Sequence, residues 1–92
     1  MKPINWNPEK NRKLIEERGI SFEVVIFCLQ SGGLLDDVFH PNKEKYPHQS
    51  IFIAAIDDYA YLVPYVENDE EIFLKTVIPS RKATKRYLGD KK

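Results

Sequence analysis

The stretch Ser50-Ile51-Phe52-Ile53-Ala54-Ala55-Ile56-Asp57-Asp58-Tyr59-Ala60-Tyr61-Leu62-Val63-Pro64-Tyr65-Val66-Glu67 decides the fold class. Ser50 to Ile56 is a continuous apolar run and reads as a strand. Asp57-Asp58 is a turn. Tyr59 to Glu67 then alternates, with Tyr59, Tyr61, Val63 and Tyr65 on one face and Ala60, Leu62, Pro64 and Val66 on the other. After a second turn, Asn68-Asp69-Glu70, the segment Glu71 to Ile78 alternates again, setting Ile72, Leu74, Thr76 and Ile78 against Phe73, Lys75 and Val77. Connections this short make the three strands an antiparallel meander. Pro64 has no N–H to give the ladder, so the middle strand is expected to have a free edge or a bulge there.

Working outward from the meander, the preceding segment His40-Pro41-Asn42-Lys43-Glu44-Lys45-Tyr46-Pro47-His48-Gln49 holds two prolines, many charges and both histidines, and reads as a surface loop. Upstream of it lie two helices. Asn7-Pro8 starts the first, with Asn as N-cap and Pro in the first turn, and Gly19 closes it. Leu14 and Ile15 are its expected anchors. Ser21 caps the second, whose Phe22, Val25, Ile26 and Leu29 form one buried stripe, and Gly32-Gly33 ends it. Lys2 to Trp6 is extended. Downstream, Pro79-Ser80 breaks the last strand and Ser80 caps a final helix, Arg81 to Leu88, ended by Gly89. The expected order is β-α-α-β-β-β-α: one α+β domain over residues 1–92, with an antiparallel sheet covered on at least one face by the early helices.

The chain has 92 residues and a net charge of zero. That neutrality hides an asymmetry: residues 1–71 carry 7 Lys/Arg against 13 Asp/Glu, a balance of −6, and residues 72–92 carry 7 against 1, a balance of +6. A basic terminal segment suggests an anionic partner, although a solvated helix face is the plainer reading. No run reaches 18 apolar residues, so no membrane helix is expected. The opening residues lack the apolar stretch of a secretory signal, and Cys28 stands alone, so a cytoplasmic protein without disulfides is expected. Cys28 lies in an apolar run and reads as a small core residue.

Glycine-rich phosphate loops and Ser/His/Asp arrangements are absent from the sequence. His40 and His48, eight residues apart, have no diagnostic metal spacing, and neither a metal nor another cofactor is expected. What remains is a set of cations, aromatics and two histidines, which is usable for metal-free RNA cleavage. A His, or a perturbed Lys or Tyr, takes the 2′-hydroxyl proton, and a second group protonates the leaving oxygen. Arg and Lys stabilise the added phosphoryl charge. Each candidate has a plainer alternative: loop histidines, a Lys75 that reaches past apolar neighbours to water, a tyrosine stripe that only packs. Composition alone does not make this chain an enzyme.

Two segments carry a resemblance to a known family. Trp6-Asn7-Pro8-Glu9-Lys10, followed by Arg18-Gly19-Ile20-Ser21-Phe22-Glu23, resembles the opening pattern of BrnT-type toxins. Val77-Ile78-Pro79-Ser80-Arg81-Lys82-Ala83-Thr84-Lys85-Arg86 is similar to that family's last strand and helix start. Between them, Asp37-Val38-Phe39-His40-Pro41-Asn42-Lys43-Glu44 resembles its Asp-x-x-His segment. Glu17-Arg18 stand where the family has Lys-His, and Tyr87 lies near the position of its late Glu. The resemblance implies a RelE-like fold and a type II toxin that cuts RNA without a metal and arrests growth. It also implies a cognate antitoxin, often a ribbon-helix-helix DNA-binding protein. On this reading the catalytic candidates are Arg81, for phosphate or transition-state charge, His40, for proton transfer, and Lys75 and Tyr46. Lys43, Lys45, His48, Lys82, Lys85 and Arg86 are candidates for holding the RNA substrate. The alternatives are a binding module of the same fold that has lost catalysis, pairing with an antitoxin or with RNA, and an unrelated interaction protein.

Overall fold

The computed structural model describes residues 2–42 and 44–89. Along the chain run β1 (Ile4–Trp6), α1 (Pro8–Arg18), α2 (Phe22–Gln30), β2 (Leu34–Phe39), β3 (Gln49–Ile56), β4 (Tyr59–Glu67), β5 (Ile72–Leu74), β6 (Ile78–Pro79) and α3 (Arg81–Ala83). α3 continues directly into a π-helical turn, Thr84–Leu88. The class is α+β, with one six-stranded sheet ordered β1-β5-β4-β3-β2 and β6 beside β4. Its pairs are antiparallel except β1 with β5, which is parallel.

Local chemistry sets the helix ends where the sequence puts them. The Asn7 side chain accepts from the Glu9 N–H at 2.8 Å, Ser21 Oγ from the Val24 N–H at 3.1 Å, and Ser80 Oγ from the Ala83 N–H at 3.0 Å. Each satisfies a donor that has no partner inside its own helix. Asp57 and Asp58 both adopt positive φ, 54° and 64°, between the paired Ile56 and Tyr59. This two-residue turn has the twist that suits flanking antiparallel strands.

Several features depart from expectation, among them the parallel β1–β5 pair in a sheet expected to be antiparallel and the π-helical Thr84–Leu88 in place of one helix from Arg81 to Leu88. Leu34–Phe39 is a strand, paired with β3 along one side and shifted in register between Leu34 and Asp36. Its acidic pair disguises it, but an edge strand tolerates charge because one side meets solvent. The segment 71–78 is not one strand but β5 and β6, and Pro64 is the reason. The Pro64 carbonyl accepts from the Lys75 N–H at 2.8 Å, so its nitrogen faces the same neighbour with no hydrogen to offer. The ladder breaks there and the alternation shifts: Val77 is fully buried with Ile72 and Leu74, whereas Ile78 is exposed. Pro64 therefore marks an irregularity inside an interior strand rather than a free edge, and the sheet edges are β1 and β2. Finally, Leu14 alone anchors α1, since Ile15 is 50% exposed.

The helices α1 and α2 cover one sheet face, with Phe22, Val25, Val63, Leu74 and Val77 fully buried between them. Ile26 and Leu29 pack beside this core, which completes the α2 stripe. Asn11 joins the two helices, accepting from the Phe22 N–H at 2.7 Å and donating to Glu23 at 2.9 Å. Cys28 is half-buried, its thiol donating to the Ala55 carbonyl, and burial pushes its pKa up. That keeps it a packed thiol rather than a nucleophile. A Cβ at Gly33 would collide with Cys28 Sγ, so the chain can leave α2 for β2 here only as glycine. On the opposite face, α3 and the π turn bring Ala83 against Ile53 and Ala60, with Val38, Leu62 and Tyr87 alongside. The two faces of β4 thus feed separate clusters, as its alternation predicts.

Candidate functional site

The last helix docks on one sheet face, and part of the candidate set lies around it. Ser80 ends β6 and caps α3; Thr84 Oγ1 accepts from the Ala60 N–H at 2.9 Å and holds the following turn against β4. This docking buries Ala83 and leaves Arg81, Lys82, Lys85 and Arg86 exposed. Among the described residues the only ion pair is Lys2–Glu67, at 2.8 Å, so none of these four cations is in direct contact with a carboxylate, although the Arg86 charge is near enough to help lower the Asp36 pKa. A π-helical turn is rare, and it commonly marks a functional site.

Between the helix and the sheet lies a cleft of about 330 Å³. Its floor is apolar: Val38, Ile53, Leu62 and Ala83. Its walls include Lys82, Arg86, Tyr87 and Asp36. The Tyr87 hydroxyl donates to Asp36 Oδ2 at 2.7 Å, and the Asp37 N–H donates to Asp36 Oδ1 at 2.8 Å. The Tyr87 hydrogen bond, then that of Asp37, holds the Asp36 carboxyl below its usual range, and the same contact raises the Tyr87 phenol. Asp36 is therefore ionised at neutral pH. Neither Asp36 nor Tyr87 is evident as a site residue in sequence. The cue that could have found them is an acidic pair in an alternating segment, for which an edge strand has room.

His40 follows β2 directly, two residues beyond Val38, or about 7 Å along an extended chain. Its Nδ1 accepts from the Asn42 N–H at 3.0 Å, and its ring meets Tyr46 at 4.5 Å between centroids. Lys45 Nζ lies 5.6 Å from the Tyr46 ring. The 40–49 segment thus gathers His40, Tyr46 and Lys45 into one cluster, while His48 is exposed beside it and Lys43 lies outside the described residues. With Nδ1 occupied as acceptor, neutral His40 carries its proton on Nε2 and presents a donor. Lys75 is exposed, its Nζ 6.0 Å from the Phe73 ring. Phe73 pairs with Val66, and Leu62, Pro64 and Val66 alternate onto the cleft face, so Phe73 shares that face.

The structure brings Lys82 and Arg86 to an apolar cleft with one ionised acceptor, but it does not bring Arg81 and His40 together. Ser80 bonds to Ala60, whereas His40 bonds to Gln49, which pairs with Val66, six residues or about 20 Å further along β4. Chemically the cleft can bind an anion and hold a flat apolar body, and the separate His–Tyr–Lys cluster can donate protons. Among the described residues no three His, Cys, Asp or Glu stand close enough to hold a metal ion, and no helix is long and apolar enough to cross a membrane. Comparison with protein-family models, with curated proteins and with solved structures finds no match to this chain.

Proposed function

We propose that this protein is a metal-independent endoribonuclease, the toxin of a type II toxin–antitoxin pair with a RelE-like fold. The observation that carries the reading is the last helix: Arg81, Lys82, Lys85 and Arg86 stand exposed and without an ion pair among the described residues, and Lys82 and Arg86 line an open cleft. A polyanion is the natural partner for such a cluster, because each cation that meets a phosphate releases a condensed counterion. The resemblance of the opening and closing segments to BrnT-type toxins supports the same reading, and with it a cytoplasmic location and a ribbon-helix-helix antitoxin as partner. Arg81 would stabilise the phosphoryl charge while water takes the 2′-hydroxyl proton and supplies one to the leaving oxygen; His40, at the other end of β4, would contact flanking RNA.

The test is induced expression with and without the neighbouring gene, followed by RNA cleavage with the purified protein. Growth arrest that the neighbour relieves, together with cleavage, is the expected result. One observation favours a second reading, an RNA-binding module without catalysis. His40 Nδ1 is occupied, and Glu17-Arg18 replace the family's Lys-His, so no free general base is evident. Tight RNA binding with no cleavage would select that reading.

A further inference from the structure

We propose that the cleft beneath α3 is a nucleobase pocket that selects bases bearing an exocyclic amino group, with the Asp36 carboxylate as acceptor. This rests on the nucleic-acid-binding half of the function proposed above. Three features of the cleft define the ligand. Its volume, about 330 Å³, falls at the lower end of the ~300–1,000 Å³ found for small-molecule sites, which suits a single ring system. Its floor of aliphatic side chains and the Tyr87 wall suit a flat body whose faces need no hydrogen bonds. Lys82 and Arg86 on its walls suit an attached phosphate.

Asp36 supplies the selection. Each of its oxygens already accepts one hydrogen bond, Oδ2 from Tyr87 and Oδ1 from Asp37. A carboxylate oxygen has room for two, so each retains an open position. An ionised carboxylate is acceptor-only and pairs with an amino donor, as Asp does with the cytosine N4 amine. Uracil presents a carbonyl at that same position and would set oxygen against oxygen. A simple anion would leave the apolar floor unused, and a purely apolar ligand would leave the open acceptor positions of Asp36 and the two wall cations unused.

The direct test compares labelled oligo(C) and oligo(U) of equal length, binding the full-length protein at one salt concentration. These ligands share backbone and ring size and differ in the exocyclic group. Oligo(C) is expected to bind about fivefold more tightly or better. Asp36→Asn, shown to be folded by circular dichroism, should erase that preference without changing the salt dependence set by phosphate contacts. Should that variant fail to fold, amide shifts of the wild-type protein decide instead. CMP should shift Val38, Ile53, Leu62 and Ala83, and UMP should shift them much less. Equal affinities, a preference that survives Asp36→Asn in folded protein, or CMP shifts elsewhere would each overturn the pocket. Preference without RNA cleavage keeps the pocket and retires the ribonuclease; cleavage without preference does the reverse.

Discussion

The Tyr87 hydroxyl donates to Asp36 at 2.7 Å across 51 positions of sequence, tying the π-helical turn to the edge strand β2. The next residue does the same on the other face: Asp37 accepts from the Tyr65 hydroxyl at 2.7 Å. Adjacent side chains of a strand point to opposite faces, so one acidic dipeptide anchors a tyrosine on each side of the sheet.

Loss of the first tie should loosen the terminal helix. Tyr87→Phe is expected to lower the melting temperature at pH 7 while leaving the α1–α2 core intact. The Asp36 pKa is depressed, so its contribution is present above the unfolded value of about 3.9 and fades as pH falls through the lower folded one. The Tyr87 pKa is raised, so its contribution is present below about 10 and fades as pH rises through the higher folded one. The gap between wild type and variant should therefore be widest between those limits and close beyond both, as read by melting across pH.

Tyr65→Phe tests the second tie. Tyr65 is 5% exposed, and its ring stacks on Phe52 at 3.9 Å, an interaction the variant keeps. Losing the hydroxyl should cost about 1 kcal/mol. For a domain of this size that corresponds to a melting point roughly 4–8 °C lower. Burial, then the Asp37 hydrogen bond, raises the Tyr65 pKa, so the wild-type advantage is present below about pH 10 and is lost as pH rises further. Denaturation curves of the two proteins should converge in alkali.

Arg81→Ala separates chemistry from stability. Arg81 is exposed and has no ion pair among the described residues, so its removal should change stability by no more than about 0.5 kcal/mol. If its guanidinium stabilises the transition state, RNA cleavage should fall by about 10²–10³ and toxicity should disappear. An Arg81→Ala protein with wild-type melting and wild-type toxicity would remove Arg81 from the mechanism.

RNA cleavage should persist in excess EDTA. The charge-stabilising group proposed here is a guanidinium, and no metal-sized cluster of His, Cys, Asp or Glu exists among the described residues. Cleavage abolished by chelation and restored by a divalent ion would overturn the metal-free mechanism.

Much of this protein is settled by local sequence. The caps at Asn7, Ser21 and Ser80, the Asp57-Asp58 turn, the α2 stripe and the two faces of β4 depend on interactions within a few residues or on strict alternation, so they can be read without knowing the rest of the chain. The basic character of the last helix is likewise plain in the sequence. Tertiary pairing decided what local pattern could not. Leu34–Phe39 becomes a strand only because β3 offers it an edge, and Asp36 and Asp37 find tyrosines that lie 51 and 28 positions away. The single missing N–H of Pro64 splits the last strand and turns Val77 inward, because a ladder break in β4 is felt by whichever strand lies opposite. The cleft follows from the same kind of contact: its floor comes from three strands and a helix that meet only once the sheet is assembled, so no one stretch of sequence contains it.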